Sequence, residues 1–385
     1  MYSDIKKGMG KMRLIMSGGG TGGHINPAIA IADAVKRIRP STDIIFVGTE
    51  RGLESRLVPD AGYPIRYIDV EGIKRSLSLS NVRALYKAAK ATSQVRALIE
   101  EFRPDGAVGT GGYVCFPVMR AASSAGIYTA LHESNAIPGL AVKALKKRTD
   151  RIFVNFEECA SALELPDKVI RTGNPMRAGL SSERREEFRD RLGVTGSYRY
   201  LIISFGGSLG AKAINNAALC LMKELTSKRP DILHVHACGK QGYADFLSEM
   251  HESGLDKVKN IRVSEYIYDM PLWLTASDLV ISRCGAMTLS EIAEAGRASI
   301  LVPSPNVVDD HQYKNARAFA DGGAAYVVRE EENIGERITE LTATILSDRT
   351  VRGKMEENAK KFSFPDANRV IAEEIVKGIG EKSRS

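Results

Sequence analysis

The chain is short of long apolar runs, tryptophan, paired cysteines and several signature loops, and each shortage removes a class of protein. Its longest apolar stretches, such as Ala28–Ala32, run to about five residues, far below the ~20 that a membrane-spanning helix needs. The five cysteines, at 115, 159, 220, 238 and 284, are odd in number and none stands in CxxC spacing, so neither a disulfide framework nor a zinc ribbon is expected. Aromatic residues make up only 6% of the chain and no RNP-like motif occurs, which argues against a nucleic-acid stacking surface. No loop carries GxxxxGK followed by Ser or Thr, which excludes a P-loop ATPase or GTPase. The opening Met1–Met12 is polar and lacks the apolar stretch of a secretory signal, so a cytosolic chain is expected.

What remains has the composition of a soluble globular protein, 43% hydrophobic and 26% charged, over 385 residues, a length that suits two domains. The net charge of +7 is unevenly spread. Residues 1–174 hold 25 lysines and arginines against 17 acidic residues, and the remainder 29 against 30. An anionic surface or ligand for the first half follows from that asymmetry.

The chain nearly repeats its opening. Arg13-Leu-Ile-Met-Ser runs into Gly18-Gly-Gly-Thr-Gly-Gly-His and then a helical pattern over Pro27–Arg37; Tyr200-Leu-Ile-Ile-Ser-Phe runs into Gly206-Gly-Ser-Leu-Gly and a helical pattern over Ala211–Glu224. Each reads as buried strand, glycine turn and helix, the first unit of a doubly wound α/β domain. Further strands are expected at 43–47, 107–108, 128–131 and 151–154, and at 233–237, 261–263, 279–282 and 299–302. The turn cluster Gly173-Asn-Pro marks the domain boundary, ahead of a charged helix over Ser182–Leu192, and a last helix follows Pro365 over Ala367–Gly378. His234 and His236 alternate on one strand and share a face; with no third ligand nearby, the structural reading is preferred over a metal site.

Gly18-x-Gly20-x-x-Gly23 matches the dinucleotide fingerprint, with Glu50 near the end of the next strand, and a third glycine turn stands at Gly109–Tyr113. A dehydrogenase needs one such loop. Three, on two domains with facing carboxyl ends, suit a phosphate-bearing donor and a phosphate-bearing acceptor better. In Ser282–Gly296, Thr288-x-x-Glu291 reads either as a capping box or as a helix start that binds a pyrophosphate at Ala286–Thr288 and a ribose at Glu291; spacing leaves both open.

Seven motifs stand in order: Gly19-Gly-Thr-Gly-Gly-His-Ile-Asn-Pro27, Gly111-Gly-Tyr113, His132-Glu-Ser-Asn-Ala-Ile-Pro-Gly139, Gly173-Asn-Pro-Met-Arg177, Gly206-Gly-Ser-Leu-Gly-Ala211, Gly285-Ala-Met-Thr-Leu-Ser-Glu291 and Asp310-His-Gln-Tyr-Lys-Asn315. Together they resemble the MurG glycosyltransferases of bacterial peptidoglycan synthesis, over about residues 13–330. The resemblance implies a GT-B fold, two Rossmann-like doubly wound domains facing a cleft. Residues 12–174 would form the lipid I and membrane-facing domain, joined by the C-terminal helix 366–380, and residues 175–365 the domain that binds UDP-N-acetylglucosamine. The implied reaction moves N-acetylglucosamine from UDP-N-acetylglucosamine, a substrate, to the 4-hydroxyl of the muramoyl sugar of lipid I, giving lipid II with inversion. No cofactor, metal or nucleic acid is implied, and the protein would sit peripherally on the cytoplasmic face of the membrane.

Carried over by position, the resemblance puts Ser208, Ala286, Met287 and Thr288 around the pyrophosphate, with Leu289 and Ser290 alongside, and Glu291 on the ribose. It gives Ile267 the uracil edge, Gln312 and Asn135 the sugar, and Arg177 a place near the nucleotide. Thr21, Gly22 and Gly23 would approach the donor sugar and the acceptor's diphosphate, and Tyr113, His132 and Glu133 would line the acceptor side. His24, directly after the glycine loop, is the candidate general base, its alternative being a helix cap or phosphate ligand. His311 stands where the family pattern has glutamine, and Phe116 where it has a small residue. Residues 72–99 carry six basic side chains and no acidic one, among them Lys74, Arg75, Lys87 and Lys90, interleaved with apolar residues. With Lys143, Lys146, Lys147 and Arg148 they read as an anionic-membrane surface, against the commoner meaning of a solvated helix face.

Overall fold

A computed structural model describes residues 11–71, 79–176, 184–207, 209–330 and 333–384. The chain divides into two units, one taking in everything up to Arg177 together with Phe364–Ser385, the other Ala178–Ser363. Among its described residues unit 1 has seven strands: β1 (Arg13–Ser17), β2 (Asp43–Gly48), β3 (Ile65–Tyr67), β4 (Gly106–Gly109), β5 (Tyr128–Glu133), β6 (Arg151–Val154) and β7 (Val169–Arg171). Their order is β3-β2-β1-β4-β5-β6-β7, every pair parallel. Helices α1 (Gly22–Ile38), α2 (Glu54–Asp60), α3 (Leu79–Phe102), α4 (Cys115–Ser124), α5 (Leu140–Leu145) and α6 (Glu157–Leu163) make the crossovers. Parallel strands need such crossovers, and with helices on both faces the strands become continuously apolar. Leu14, Ile15 and Met16 of β1 are accordingly all fully buried.

Unit 2 repeats the plan. After α7 (Arg185–Arg191) come β8 (Tyr200–Phe205), α8 (Lys212–Glu224), β9 (Ile232–Ala237), α9 (Tyr243–Glu252), β10 (Ile261–Ser264), α10 (Met270–Ala276), β11 (Leu279–Ser282), α11 (Ala286–Ala295), β12 (Ala298–Leu301), α12 (His311–Asp321), β13 (Ala325–Val327), α13 (Ile334–Ser347) and α14 (Arg349–Lys360). The parallel order is β10-β9-β8-β11-β12-β13. Asp278 anchors its amino edge, accepting from Leu201 N at 2.8 Å and Arg189 Nη1 at 3.1 Å, with Arg185 on its other oxygen.

The chain then returns to unit 1 as α15 (Ala367–Lys382). Ile371, Ile375 and Ile379 join Ile25, Ile29 and Phe46 in the unit 1 core, and Lys382 Nζ reaches the Asp150 carboxylate at 2.8 and 2.9 Å. Asn368 donates to Met176 O and accepts from Met176 N, fastening the start of this helix to the end of the first passage through unit 1. The sequence pattern marks ten of the strands; the three it leaves out, β3, β7 and β13, are three-residue strands at sheet edges.

In both sheets the strand order reverses beside the first strand, at β1/β4 and at β8/β11. In open α/β sheets ligands bind beyond the carboxyl ends of the strands at such a switch point.

His234 and His236 do face the same way, into the interior of unit 2. Ser204 Oγ lies 2.8 Å from His234 Nε2 and 2.7 Å from His236 Nδ1, and both rings are fully buried. Burial pushes His234 down to about 3 and His236 down to about 4, so both are neutral in the folded protein. The unfolded chain takes protons on both below about pH 6.5, so stability is full above that value and falls as pH drops toward the folded values. The unfolding midpoint of unit 2 is therefore expected to fall between pH 7 and pH 4.5, with a shallower fall in His236→Phe; a midpoint that does not move would contradict this.

Candidate active site

At the switch point of unit 1 two glycine turns meet. Gly18 passes so close to α1 that a Cβ there would lie 2.2 Å from Thr110 Oγ1 and 2.6 Å from His24 O. Gly112, at φ +83°, lies against the other turn, where a Cβ would come within 2.3 Å of Gly19 O, and Gly19 N donates to Gly111 O at 3.4 Å. Gly111, at φ +107°, leaves room for an imidazole: its Cβ would sit 2.8 Å from His24 Cδ2 and 3.0 Å from Nε2.

His24 occupies the first turn of α1, half-buried, with Nδ1 3.1 Å from Gly19 O and 3.4 Å from Thr21 Oγ1. A carbonyl only accepts, so Nδ1 carries the proton and Nε2 keeps its lone pair. That is the tautomer a base requires. Thr21 is the N-cap of α1, Gly22 and Gly23 open the helix, and Tyr113, 36% exposed, stands over Gly20 with its hydroxyl 3.4 Å from Thr49 Oγ1.

The end of β5 supplies the next group. Glu133 accepts from the backbone and side chain of Asn135 at 3.1 and 3.0 Å and from Gly139 N at 2.7 Å, so a buried carboxylate shapes the loop that carries Asn135. His132 is fully buried, its Nε2 3.3 Å from Gly173 O, and burial pushes it down to about 4. Both side chains face the protein rather than solvent.

In unit 2 the loops after β8, β9 and β10 are linked. Gly210, at φ +83°, lies against Cys238 O, and Gly239 N donates to Glu265 O at 3.0 Å. Ile267, just beyond, is buried. After β11, helix α11 starts at Ala286 with Gly285 as its N-cap and no side-chain cap, so Thr288 falls on the third helical residue and the capping-box reading does not hold. The N–H groups of a helix's first turn point toward its amino end, where the helix dipole favours an anion. Leu289 and Ser290 turn inward, while Glu291 sits on the second turn, where burial pushes its carboxyl group up to about 7.

Gln312 Oε1 accepts from Cys284 N at 3.3 Å and Ser304 N at 3.0 Å, which assigns the other end of the amide as the donor nitrogen. It is preceded by Asp309 and Asp310, at φ +57° and +52°, and by His311, the first residue of α12. Consecutive left-handed non-glycine residues store strain, which collects at functional loops. Arg177 and Ser208 lie outside the described residues. Glu54, buried behind the glycine turn, was missed by sequence reasoning, which singled out the exposed Glu50.

Two family models match the chain: the glycosyltransferase family 28 N-terminal domain over residues 14–154 and the glycosyltransferase family 28 C-terminal domain over residues 201–371. A curated relative from Acetivibrio thermocellus, a UDP-N-acetylglucosamine–N-acetylmuramyl-(pentapeptide) pyrophosphoryl-undecaprenol N-acetylglucosamine transferase, is 40% identical over 96% of this chain and 98% of its own. The enzyme of the same name from Bacillus cytotoxicus is 38% identical over 92% and 96%. The crystal structure of Acinetobacter baumannii MurG superimposes with a TM-score of 0.76 at 29% identity, covering 95% of this chain and 99% of that one.

Proposed function

This chain belongs to the MurG members of glycosyltransferase family 28, and from that premise we propose that it transfers N-acetylglucosamine from UDP-N-acetylglucosamine to the 4-hydroxyl of the muramoyl sugar of lipid I, yielding lipid II for peptidoglycan synthesis. The observation that carries this reading is the match to enzymes of that one name along nearly the whole of both chains. The step feeds cell-wall growth, and with it cell shape and division.

Unit 2 takes the donor. Ala286, Met287 and Thr288, at the amino end of α11, receive the pyrophosphate together with Ser208, and Arg177, from the end of unit 1's first passage, comes near the nucleotide. Glu291 accepts from the ribose hydroxyls, Ile267 meets the uracil through its backbone, and the amide nitrogen of Gln312 reads the sugar. As the glycosidic bond breaks, negative charge grows on the departing UDP, and oriented amides stabilise it without reorganising. Unit 1 supplies the base. His24 Nε2 takes the proton from the attacking hydroxyl, with Asn135 on the sugar and the amides of Gly22 and Gly23 toward the acceptor's diphosphate. His132 and Glu133 act behind Asn135 rather than on the acceptor, as their burial supports.

Three outcomes are expected. His24→Ala should lower kcat by roughly 10²–10⁴ with UDP affinity unchanged. An intact rate would remove His24 as the base. Because Glu291 must be ionised to serve the ribose well and rests near 7, UDP affinity measured by calorimetry should fall as pH drops from 8 to 6, and Glu291→Gln should flatten that slope. The opposite slope would contradict the assignment.

The third concerns the membrane, at whose cytoplasmic face we take the protein to sit peripherally. Among the described residues no helix is long and apolar enough to cross a bilayer. Among the described residues of unit 1, the exposed large apolar side chains Leu53, Tyr67, Tyr113 and Leu140 all follow or end strands at the carboxyl edge of its sheet. Lys143, Lys147 and Arg148 are exposed beside Leu140, whereas Lys146 is tied to Leu163 O and Lys87 to Asp69 and Glu71. Much of the 72–86 stretch lies outside the described residues and side chains. Lys143→Glu with Lys147→Glu should reduce sedimentation with anionic vesicles, most at low salt and less as salt rises. Unchanged sedimentation would place the membrane contact elsewhere.

A further inference from the structure

We propose that Glu54 is a positioning residue for His24, acting through the single peptide group that joins Gly19 to Gly20. Glu54 opens α2 and is 1% exposed. Its Oε2 accepts from Gly20 N at 3.1 Å, and its Oε1 accepts from Thr49 N at 3.0 Å and Thr49 Oγ1 at 2.8 Å. The peptide whose N–H points at Glu54 is the one whose carbonyl, Gly19 O, lies 3.1 Å from His24 Nδ1. A line of hydrogen bonds therefore runs from carboxylate to peptide to imidazole.

The surroundings are shaped for this carboxylate. A Cβ on Gly19 would lie 2.9 Å from Glu54 Oε1, one on Gly52 2.2 Å from Oε2, and one on Gly48 2.6 Å from Cγ. Three glycines, one after β1, one ending β2 and one just beyond it, leave the space that one side chain fills. Among the described residues no lysine or arginine pairs with it, so the buried charge is held by hydrogen-bond donors alone. Such burial is costly unless each donor is well aimed.

Two consequences follow. The Gly20 amide is occupied from within, so it is not offered to a ligand's phosphate. The negative charge also polarises the Gly19–Gly20 peptide. This strengthens its carbonyl as an acceptor, holds the proton on Nδ1 and makes Nε2 the more basic nitrogen. The logic is that of the carboxylate behind a catalytic histidine, with a peptide group inserted between them.

The inference rests on the reading of His24 as the base, and the test separates the two. In ¹⁵N NMR of histidine-labelled protein at about pH 8.5, with His24 assigned from His24→Gln, the ring should be in the Nδ1–H form, and Glu54→Gln should shift it toward a mixture. The same variant should lower kcat by roughly 10- to 100-fold, the range for hydrogen-bonded supports of a functional histidine, with KM for UDP-N-acetylglucosamine within about twofold. In a His24→Ala background it should cost less than about twofold. An unchanged tautomer, or a loss of equal size with and without His24, would overturn the proposal. A fully active His24→Ala would instead refute the base assignment, while the tautomer still decides the relay. Should Glu54→Gln fail to fold, Thr49→Val removes one of the three donors, and a smaller shift of the same tautomer is expected; no shift overturns it.

Discussion

The close approach of two backbone turns beyond β1 and β4 governs the chemistry of unit 1. At Gly18, Gly19, Gly111 and Gly112 a Cβ would come within 3 Å of the opposing turn, of α1 or of the Glu54 carboxylate. That contact brings a carbonyl under the His24 ring, opens a slot for the imidazole and aims one peptide at a buried carboxylate. Any side chain at those positions would separate the turns and release the ring. The same constraint explains why glycine density here marks geometry first and phosphate binding second.

Unit 2 uses the same parallel plan for a different purpose. Its switch point offers the amino end of α11, with glycine at the N-cap, and a carboxyl group pushed toward neutrality, where unit 1 offers an oriented imidazole. A nucleotide diphosphate needs amides and a hydroxyl acceptor, and an attacking hydroxyl needs a base. In the proposed assignment one fold serves both, because the strands hold the loops rigidly while the loop residues differ.

The fold was legible because its central strands are long, apolar and followed by glycine turns: β1 and β8 are visible in the sequence as Arg13–Ser17 and Tyr200–Phe205. The edge strands were not, since Ile65-Arg-Tyr, Val169-Ile-Arg and Ala325-Tyr-Val are too short to display a period. At the candidate site, the glycine turns and the histidine after them are visible in the sequence, and the ordered motifs single out Glu291 and Gln312 as candidates. Glu54 is not singled out. Its importance comes from burial against the first loop, a contact 34 residues away along the chain, whereas Glu50, at the fingerprint spacing, points to solvent. Thr288 likewise satisfied a capping pattern in sequence, but the helix begins two residues earlier. Local spacing cannot reveal which carboxylate the tertiary fold will bury.

The most direct test of the account is transfer of radiolabelled N-acetylglucosamine from UDP-N-acetylglucosamine to a short-chain lipid I analogue, with UDP release followed in parallel. The account predicts a labelled lipid II analogue formed in step with UDP by the wild-type protein, and strongly reduced transfer by Glu291→Ala. Tight UDP binding with no transfer to that acceptor would contradict it, leaving the fold and donor site in place but assigning the hydroxyl to another molecule.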